Sequence, residues 1–185
     1  MVSITTEQYE RIIRALQHGG GGFRKNPRVA AVLMVEANLG LRIGDVLSLH
    51  LCDIVRDGYR YRLNITEEKT GKRRTFTVPE EVYVYLKNYA GEHSIPDDAL
   101  LFPIGERAVQ KTLHKACQYL GIRNVSTHSF RKWYATEIYH ASGNDILLVQ
   151  RLLQHSSPSI TRRYIGISDE RMEMAIRNHV NLISA

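Results

Sequence analysis

The sequence predicts a mostly helical domain with a small three-stranded antiparallel sheet, an α+β fold. Three observations carry that reading. Apolar residues recur at three- and four-residue spacing through most of the 185 residues. The spacing drops to two between residues 51 and 78, and Gly, Pro, Asn or Asp punctuates the changes. A chain of this length is ample for one hydrophobic core. Hydrophobic residues at 43% and charged residues at 24% are ordinary globular values and exclude wholesale disorder.

The first helix starts at a capping box, Thr5 at the N-cap and Gln8 three residues on. It runs to about His18 on a stripe of Ile12, Ile13 and Leu16. Gly19-Gly20-Gly21-Gly22 reads as a flexible interhelix loop. It follows no strand and precedes no Lys-Ser or Lys-Thr, so it is not a Walker phosphate cradle. Asn26-Pro27 gives a second helix its N-cap and N1 proline, Val29, Val32, Leu33 and Ala37 or Val35 form its inner face, and Gly40 stops it. A short third helix over residues 43–49 has Arg42 at its mouth.

Three strands follow, at residues 51–55, 59–66 and 73–78, the second alternating through Tyr59, Tyr61, Leu63 and Ile65. Asp57-Gly58 and Thr70-Gly71 make the turns. Pro79 opens a helix with Val82, Leu86 and Tyr89 on its face. Residues 106–120 form an amphipathic helix through Val109, Leu113, Ala116 and Leu120, closed by Gly121. Helices over 129–139 and 144–153 come next, then a break at Ser156-Ser157-Pro158. Ser168-Asp169-Glu170 caps a last helix carrying Met172, Ile176 and Val180. No repeat or long linker divides the chain, so residues 1–185 are expected to form one domain.

Several function classes drop out. No apolar run approaches the roughly 18 residues of a membrane span, and the N-terminus lacks the form of a secretory signal. A soluble, cytoplasmic protein is expected. Cys52 and Cys117 form no CxxC pair and are expected to be two buried small hydrophobes. The eight histidines include no HExxH and no Cys/His cluster, so no metal and no cofactor are expected. With 25 Lys+Arg against 19 Asp+Glu the net charge is +6, which suits a polyanionic partner without requiring one.

Taken singly, the interesting polar residues have ordinary structural readings. Arg42 and Asp45, at i,i+3, fit a local ion pair. Lys69 belongs to a basic hairpin tip with Lys72, Arg73 and Arg74, of the kind that keeps an edge soluble. His128 and Arg131, again at i,i+3, fit the solvated start of a helix. His155 fits a helix end, where it meets the dipole. Tyr164 is one of ten tyrosines.

Their order and spacing carry more. Arg42-x-x-Asp45, a hairpin lysine, His128-Ser129-Phe130-Arg131, Leu153-Gln154-His155 and then Tyr164 resemble the tyrosine recombinase (phage integrase) family over nearly the whole chain. The resemblance implies that family's catalytic-domain fold and a catalytic set of Arg42, Lys69, His128, Arg131, His155 and Tyr164, with Asp45 in support. Three positions depart from the family pattern. Gln154 stands where Gly is usual, Asp45 where Glu is usual, and Lys132 where His is frequent. The separate N-terminal core-binding domain of many members has no room in this chain, so a catalytic domain alone is expected.

The residue types also suit the chemistry by themselves. Arg42 and Arg131 can each offer bidentate donors to the non-bridging oxygens of a phosphodiester. His128 and His155 can donate to those oxygens or accept a proton near neutral pH. A tyrosine hydroxyl, with a reference pKa of about 10, needs a base or neighbouring cations to become a nucleophile. Lys69 suits the general acid that protonates a departing 5′ oxygen. The resemblance implies a cycle through a 3′-phosphotyrosyl intermediate, used for integration, excision or inversion of a DNA element in a prokaryotic setting. The rival readings are a type IB topoisomerase-like relaxing enzyme and a non-catalytic DNA-binding regulator of the same fold.

Duplex DNA is the expected partner. Basic residues cluster at Lys72, Arg73 and Arg74, at Arg107 and Lys111, at Arg123, at Arg131 and Lys132, and at Arg162 and Arg163. The helix from residue 106 offers Arg107, Gln110, Lys111 and His114 on its polar side, and arginine and glutamine are competent base readers in the major groove. The Met172, Ile176, Val180 stripe docks most simply on its own chain. The resemblance implies docking on a neighbour, hence a monomer in solution, a tetramer on DNA, and an accessory factor for direction.

Overall fold

Local chemistry sets the element boundaries one by one. The computed structural model describes residues 3–66, 71 and 73–166, without the side chain of Arg74. Lys69, Lys72 and the expected last helix with Met172, Ile176 and Val180 lie outside the described residues. The elements in chain order are α1 (Thr6–His18), α2 (Pro27–Leu39), α3 (Ile43–Leu47), a 3-10 turn (Leu51–Asp53), β1 (Ile54–Asp57), β2 (Arg60–Thr66), β3 (Arg73–Val78), α4 (Glu80–Glu92), α5 (Glu106–Leu120), α6 (Thr127–Ala141), α7 (Ile146–Leu153) and α8 (Pro158–Ile165). The architecture is mostly helical, with one three-stranded antiparallel sheet in the order β1-β2-β3.

The described residues form two compact units, the first ending at Tyr134 and the second beginning at Ala135, so that the division falls within α6. In the first unit, α1 begins at the expected capping box. Thr5 Oγ1 accepts from the Gln8 N–H and Gln8 Oε1 accepts from the Thr5 N–H, each at 3.1 Å. Asn26 Oδ1 accepts the Val29 N–H, with Pro27 at N1. Helix α2 is the hub of this core. Its Val29, Ala30, Ala31, Val32, Leu33, Val35, Ala37 and Leu39 are all buried, against Ile12 and Leu16 of α1 and Val109, Leu113 and Ala116 of α5. Burying large aliphatic side chains stabilises by about 1.5–3 kcal/mol each, which is why so nearly uniform an apolar helix sits inside.

Four expectations need correcting. The first strand starts at Ile54, not residue 51. The His50 N–H donates to Asp53 Oδ2 at 2.8 Å and the Cys52 N–H to the Asp97 carbonyl at 2.9 Å, so these donors are taken by a turn rather than a ladder. Tyr59 is 87% exposed in the β1–β2 turn and is no part of the inward row, which is Ile54, Leu63 and Phe76 across the three strands. Cys52 is exposed and only Cys117 is buried. The glycine run is a pinned turn. Gly20 and Phe23 exchange both backbone hydrogen bonds, and a Cβ on Gly20 would collide with the Tyr119 hydroxyl.

The second unit holds the rest of α6 with α7 and α8. Asp145 Oδ1 accepts the Leu147 and Leu148 N–H groups, which starts α7 at Ile146. Where the sequence suggested only a break, Ser157 and Pro158 cap and open α8, and Gly166 closes it in the left-handed region. Val149, Leu153 and Thr161 are buried. Gln154 ends α7 at φ 54°, ψ 39°, a left-handed conformation that a Cβ disfavours. Its Oε1 is also buried without a hydrogen-bond partner. Gln154→Gly relieves both costs and is expected to raise stability by about 1 kcal/mol; a thermal melt showing no gain would contradict this account of the position.

Candidate active site

The first unit brings two arginines from distant parts of the chain to one loop. Gly40 ends α2 at φ 58°, which frees the backbone to turn. A Cβ at Gly40 would meet the Tyr134 ring, so the position is restricted by space as well as by dihedral angle. The Gly40 carbonyl accepts Arg131 Nη1 at 2.6 Å, across 91 residues of sequence. Two residues on, Arg42 is the N-cap of α3, and Leu41 between them is fully buried. Arg42 Nη1 lies 4.0 Å from Asp45 Oδ2, with the Arg42 side chain 21% exposed and that of Asp45 only 3%. The local ion pair is therefore present, and it leans a partly exposed guanidinium on a buried carboxylate.

Arg131 is itself 3% exposed, on the second turn of α6. The start of α6 is fixed against α1, where Trp133 stacks on Tyr9 at 4.6 Å between centroids and donates through Nε1 to Thr6 Oγ1 at 3.4 Å. His128 is exposed one turn before Arg131, and Lys132 is half-buried. Behind this group lies Glu36 of α2, fully buried, with neither carboxyl oxygen hydrogen-bonded. Burial holds its carboxyl well above the ordinary value; the Arg131 charge opposes that shift and Glu106 adds to it.

The second unit pairs His155 with Tyr164. The α7 end is closed by the His155 N–H donating to the Gln150 carbonyl at 3.0 Å and by Gln150 Nε2 donating to the His155 carbonyl at 3.1 Å. His155 Nδ1 lies 3.0 Å from Thr161 Oγ1, and that hydroxyl is 3.5 Å from the Ser157 carbonyl. If the Thr161 O–H donates to Ser157, its oxygen accepts from Nδ1–H, an assignment that leaves Nε2 as the acceptor nitrogen. The His155 and Tyr164 rings meet edge to face, 5.0 Å between centroids at 76°, and Tyr164 is half-buried.

Each group is of residue types that phosphoryl transfer can use. The sequence matches the phage integrase family over residues 3–171. The chain belongs to the phage integrase family. It is 32% identical to a probable integrase/recombinase, YoeC, of Bacillus subtilis, the match covering 83% of this chain and 85% of that one. It is 31% identical to the tyrosine recombinase XerC of Nitrobacter winogradskyi over 78% of this chain and 47% of the relative. Among solved structures, XerH bound to difH in a post-cleavage complex matches with a TM-score of 0.70 at 21% identity, covering 96% of this chain and 53% of that one. The catalytic domain of bacteriophage HP1 integrase matches at 0.66 and 18%, covering 97% and 95%. The chain thus spans about half the length of the Xer proteins it matches, and its fold is that of tyrosine recombinase catalytic domains.

Arg73, Arg107, Gln110, Lys111, Arg123, Arg162 and Arg163 are exposed, and Gln110 Nε2 donates to Glu106 Oε1 at 2.7 Å. Thr161 and Glu36 were not singled out from the sequence, and Gly40 only as a helix stop. A threonine six residues after a histidine carries no signal. Among the described residues no three or more His, Cys, Asp or Glu side chains are grouped to hold a metal, and no helix is long and apolar enough to cross a membrane.

Glu36 makes stability depend on pH in a definite direction. Its pKa is raised on folding, so the folded state holds the proton more tightly and stability falls as pH rises from the unfolded value towards the folded one. Glu36→Gln removes that dependence. The variant is expected to gain on the wild type as pH rises above the ordinary carboxylate range. A stability difference constant with pH, measured by denaturant titration, would show that Glu36 does not titrate in this range.

Proposed function

We propose that this chain is the catalytic part of a tyrosine-type site-specific DNA recombinase, and that Tyr164 is its nucleophile. Tyr164 Oη attacks the scissile phosphorus, the bond from phosphorus to the 5′ oxygen breaks, and a 3′-phosphotyrosyl link and a free 5′-hydroxyl result. The phenolic proton leaves to a base, with His155 the candidate. Lys69 supplies the proton that the departing 5′ oxygen takes up. Attack by the 5′-hydroxyl of a partner strand reverses these steps and restores tyrosine. One phosphodiester is exchanged for another, so the step balances without ATP.

The single observation that carries the reading is the edge-to-face packing of His155 on Tyr164, with Thr161 at the far nitrogen of the imidazole. In this reading Arg42 and Arg131 stabilise charge on the non-bridging oxygens, His128 adds a donor, Asp45 steadies Arg42, and Thr161 is a positioning residue for His155. Arg73, Arg74, Lys72, Lys132 and Arg162 contact the backbone, and Arg107, Gln110 and Lys111 of α5 enter the major groove. The named relatives are integrases and recombinases, which favours strand exchange over supercoil relaxation or a non-catalytic regulator. We assign the whole chain to the catalytic domain, acting in the cytoplasm, monomeric in solution and tetrameric on DNA through its C-terminal segment, with direction set by an accessory factor.

Two experiments test this. Mixed at low salt with nicked duplexes from the DNA flanking its gene, the wild type is expected to yield a denaturation-resistant adduct, Tyr164→Phe none, and Arg42→Ala or Arg131→Ala about 10²–10³-fold less. An adduct that persists in Tyr164→Phe would overturn the nucleophile assignment. Thr161→Val is expected to slow adduct formation at least about 10-fold with DNA affinity unchanged, and Thr161→Ser to restore it. Equal rates for Thr161→Val and wild type would remove the positioning role.

A further inference from the structure

We infer that the cleft between the glycine turn, the start of α2 and one flank of α5 is a second DNA subsite, taking the phosphate backbone that borders the groove α5 reads. The inference rests on the DNA reading above and adds residues outside it. The cleft has a volume of about 990 Å³, and among the residues lining it are Arg24, Lys25, Arg28, Lys115 and His93, with no Asp or Glu. The four lysines and arginines are exposed, and among the described residues none pairs with an acidic side chain. Like charges gathered in a concave surface repel one another and focus a positive potential, which favours an anion in their midst.

The cleft is built rather than incidental. Phe23 stacks on Tyr119 with centroids 5.7 Å apart and planes 18° from parallel. Gly20 lies so close to the Tyr119 hydroxyl that a Cβ there would have to displace the Tyr119 side chain. The turn that the glycines permit, closed by the two Gly20–Phe23 hydrogen bonds, therefore fixes where Arg24 and Lys25 leave the backbone. Helix α2 opens in the same wall at Asn26 and Pro27, so its partial positive charge adds to the field.

Helical geometry says which part of the duplex would enter. At about 100° per residue, Arg107, Gln110, Lys111 and His114 share one stripe of α5, and Thr112, Lys115 and Tyr119 lie about a quarter turn or more away. A helix in a major groove about 12 Å wide turns one stripe to the bases and its flanks to the two bordering strands. The flank that lines the cleft thus meets a sugar–phosphate strand, where lysine and arginine act without regard to sequence.

The test is the salt dependence of duplex binding by the full chain, comparing wild type with the triple variant Arg24→Ala, Lys25→Ala, Lys115→Ala. The slope of log affinity against log salt is expected to fall by about 2–3, since each phosphate contact contributes about 0.9. Affinity should drop at least 10-fold, preference among duplex sequences should stay the same, and the thermal melt should confirm that the variant is folded. Lys87→Ala, an exposed lysine outside the cleft, is the control for diffuse charge. An unchanged slope overturns the proposal, as does an equal change in the Lys87→Ala control. A lost sequence preference would make these base readers and overturn it too. If instead only self-association on sedimentation were lost, the cleft would be a site for an acidic polypeptide. The two readings fail separately: a wild type that binds with the full slope but forms no Tyr164 adduct sinks the enzyme reading alone, and one that forms the adduct while the triple variant keeps its slope sinks the cleft alone.

Discussion

The hydrogen bond from Arg131 Nη1 to the Gly40 carbonyl organises the first unit. A guanidinium that is 3% exposed has lost most of its hydration, and an arginine in that state is tolerable only where acceptors and counter-charge surround it. Gly40 offers its carbonyl because α2 ends there in a left-handed turn, and Tyr134 fills the space a side chain would need. The same turn carries the chain through buried Leu41 to Arg42, so one loop conformation sets both guanidinium groups. Shortening Arg131 would take this donor from the Gly40 carbonyl, and a side chain at Gly40 would have to displace Tyr134 or the turn that presents that carbonyl.

The second unit solves a smaller problem with local bonds. Reciprocal contacts between Gln150 and His155 close α7, and Thr161 holds the imidazole from the first half of α8. Tyr164 lies one turn further along α8 and packs on that imidazole. The nucleophile proposed for the reaction is therefore held through its neighbour histidine, and no bond in this group spans more than nine or so residues of chain.

Much of this was legible in the sequence because it is written in local rules. Thr5 with Gln8, Asn26 with Pro27, and Gly121 at the end of α5 each satisfy backbone groups within a few residues, and each boundary was read correctly. The spacing of Arg42, His128, Arg131, His155 and Tyr164 identified the family. What escaped depends on contacts that spacing does not encode. Ser157-Pro158 is the same N-cap and N1 signal as Asn26-Pro27, yet its helix is only eight residues long and its periodicity is too brief to register. The expected strand at residue 51 yielded to a carboxylate at Asp53 and a carbonyl at Asp97. The burial of Glu36 was hidden because a glutamate within a helix reads as solvent-facing until the partners on every side are known.

Thr161 and Tyr164 share one short helix, and this has a bearing on control. Any displacement that withdraws the tyrosine also withdraws the hydroxyl that holds the histidine in its tautomer. The second unit thus couples the two groups: a shift of α8 as a body moves the Tyr164 ring and the Thr161 hydroxyl relative to His155 together.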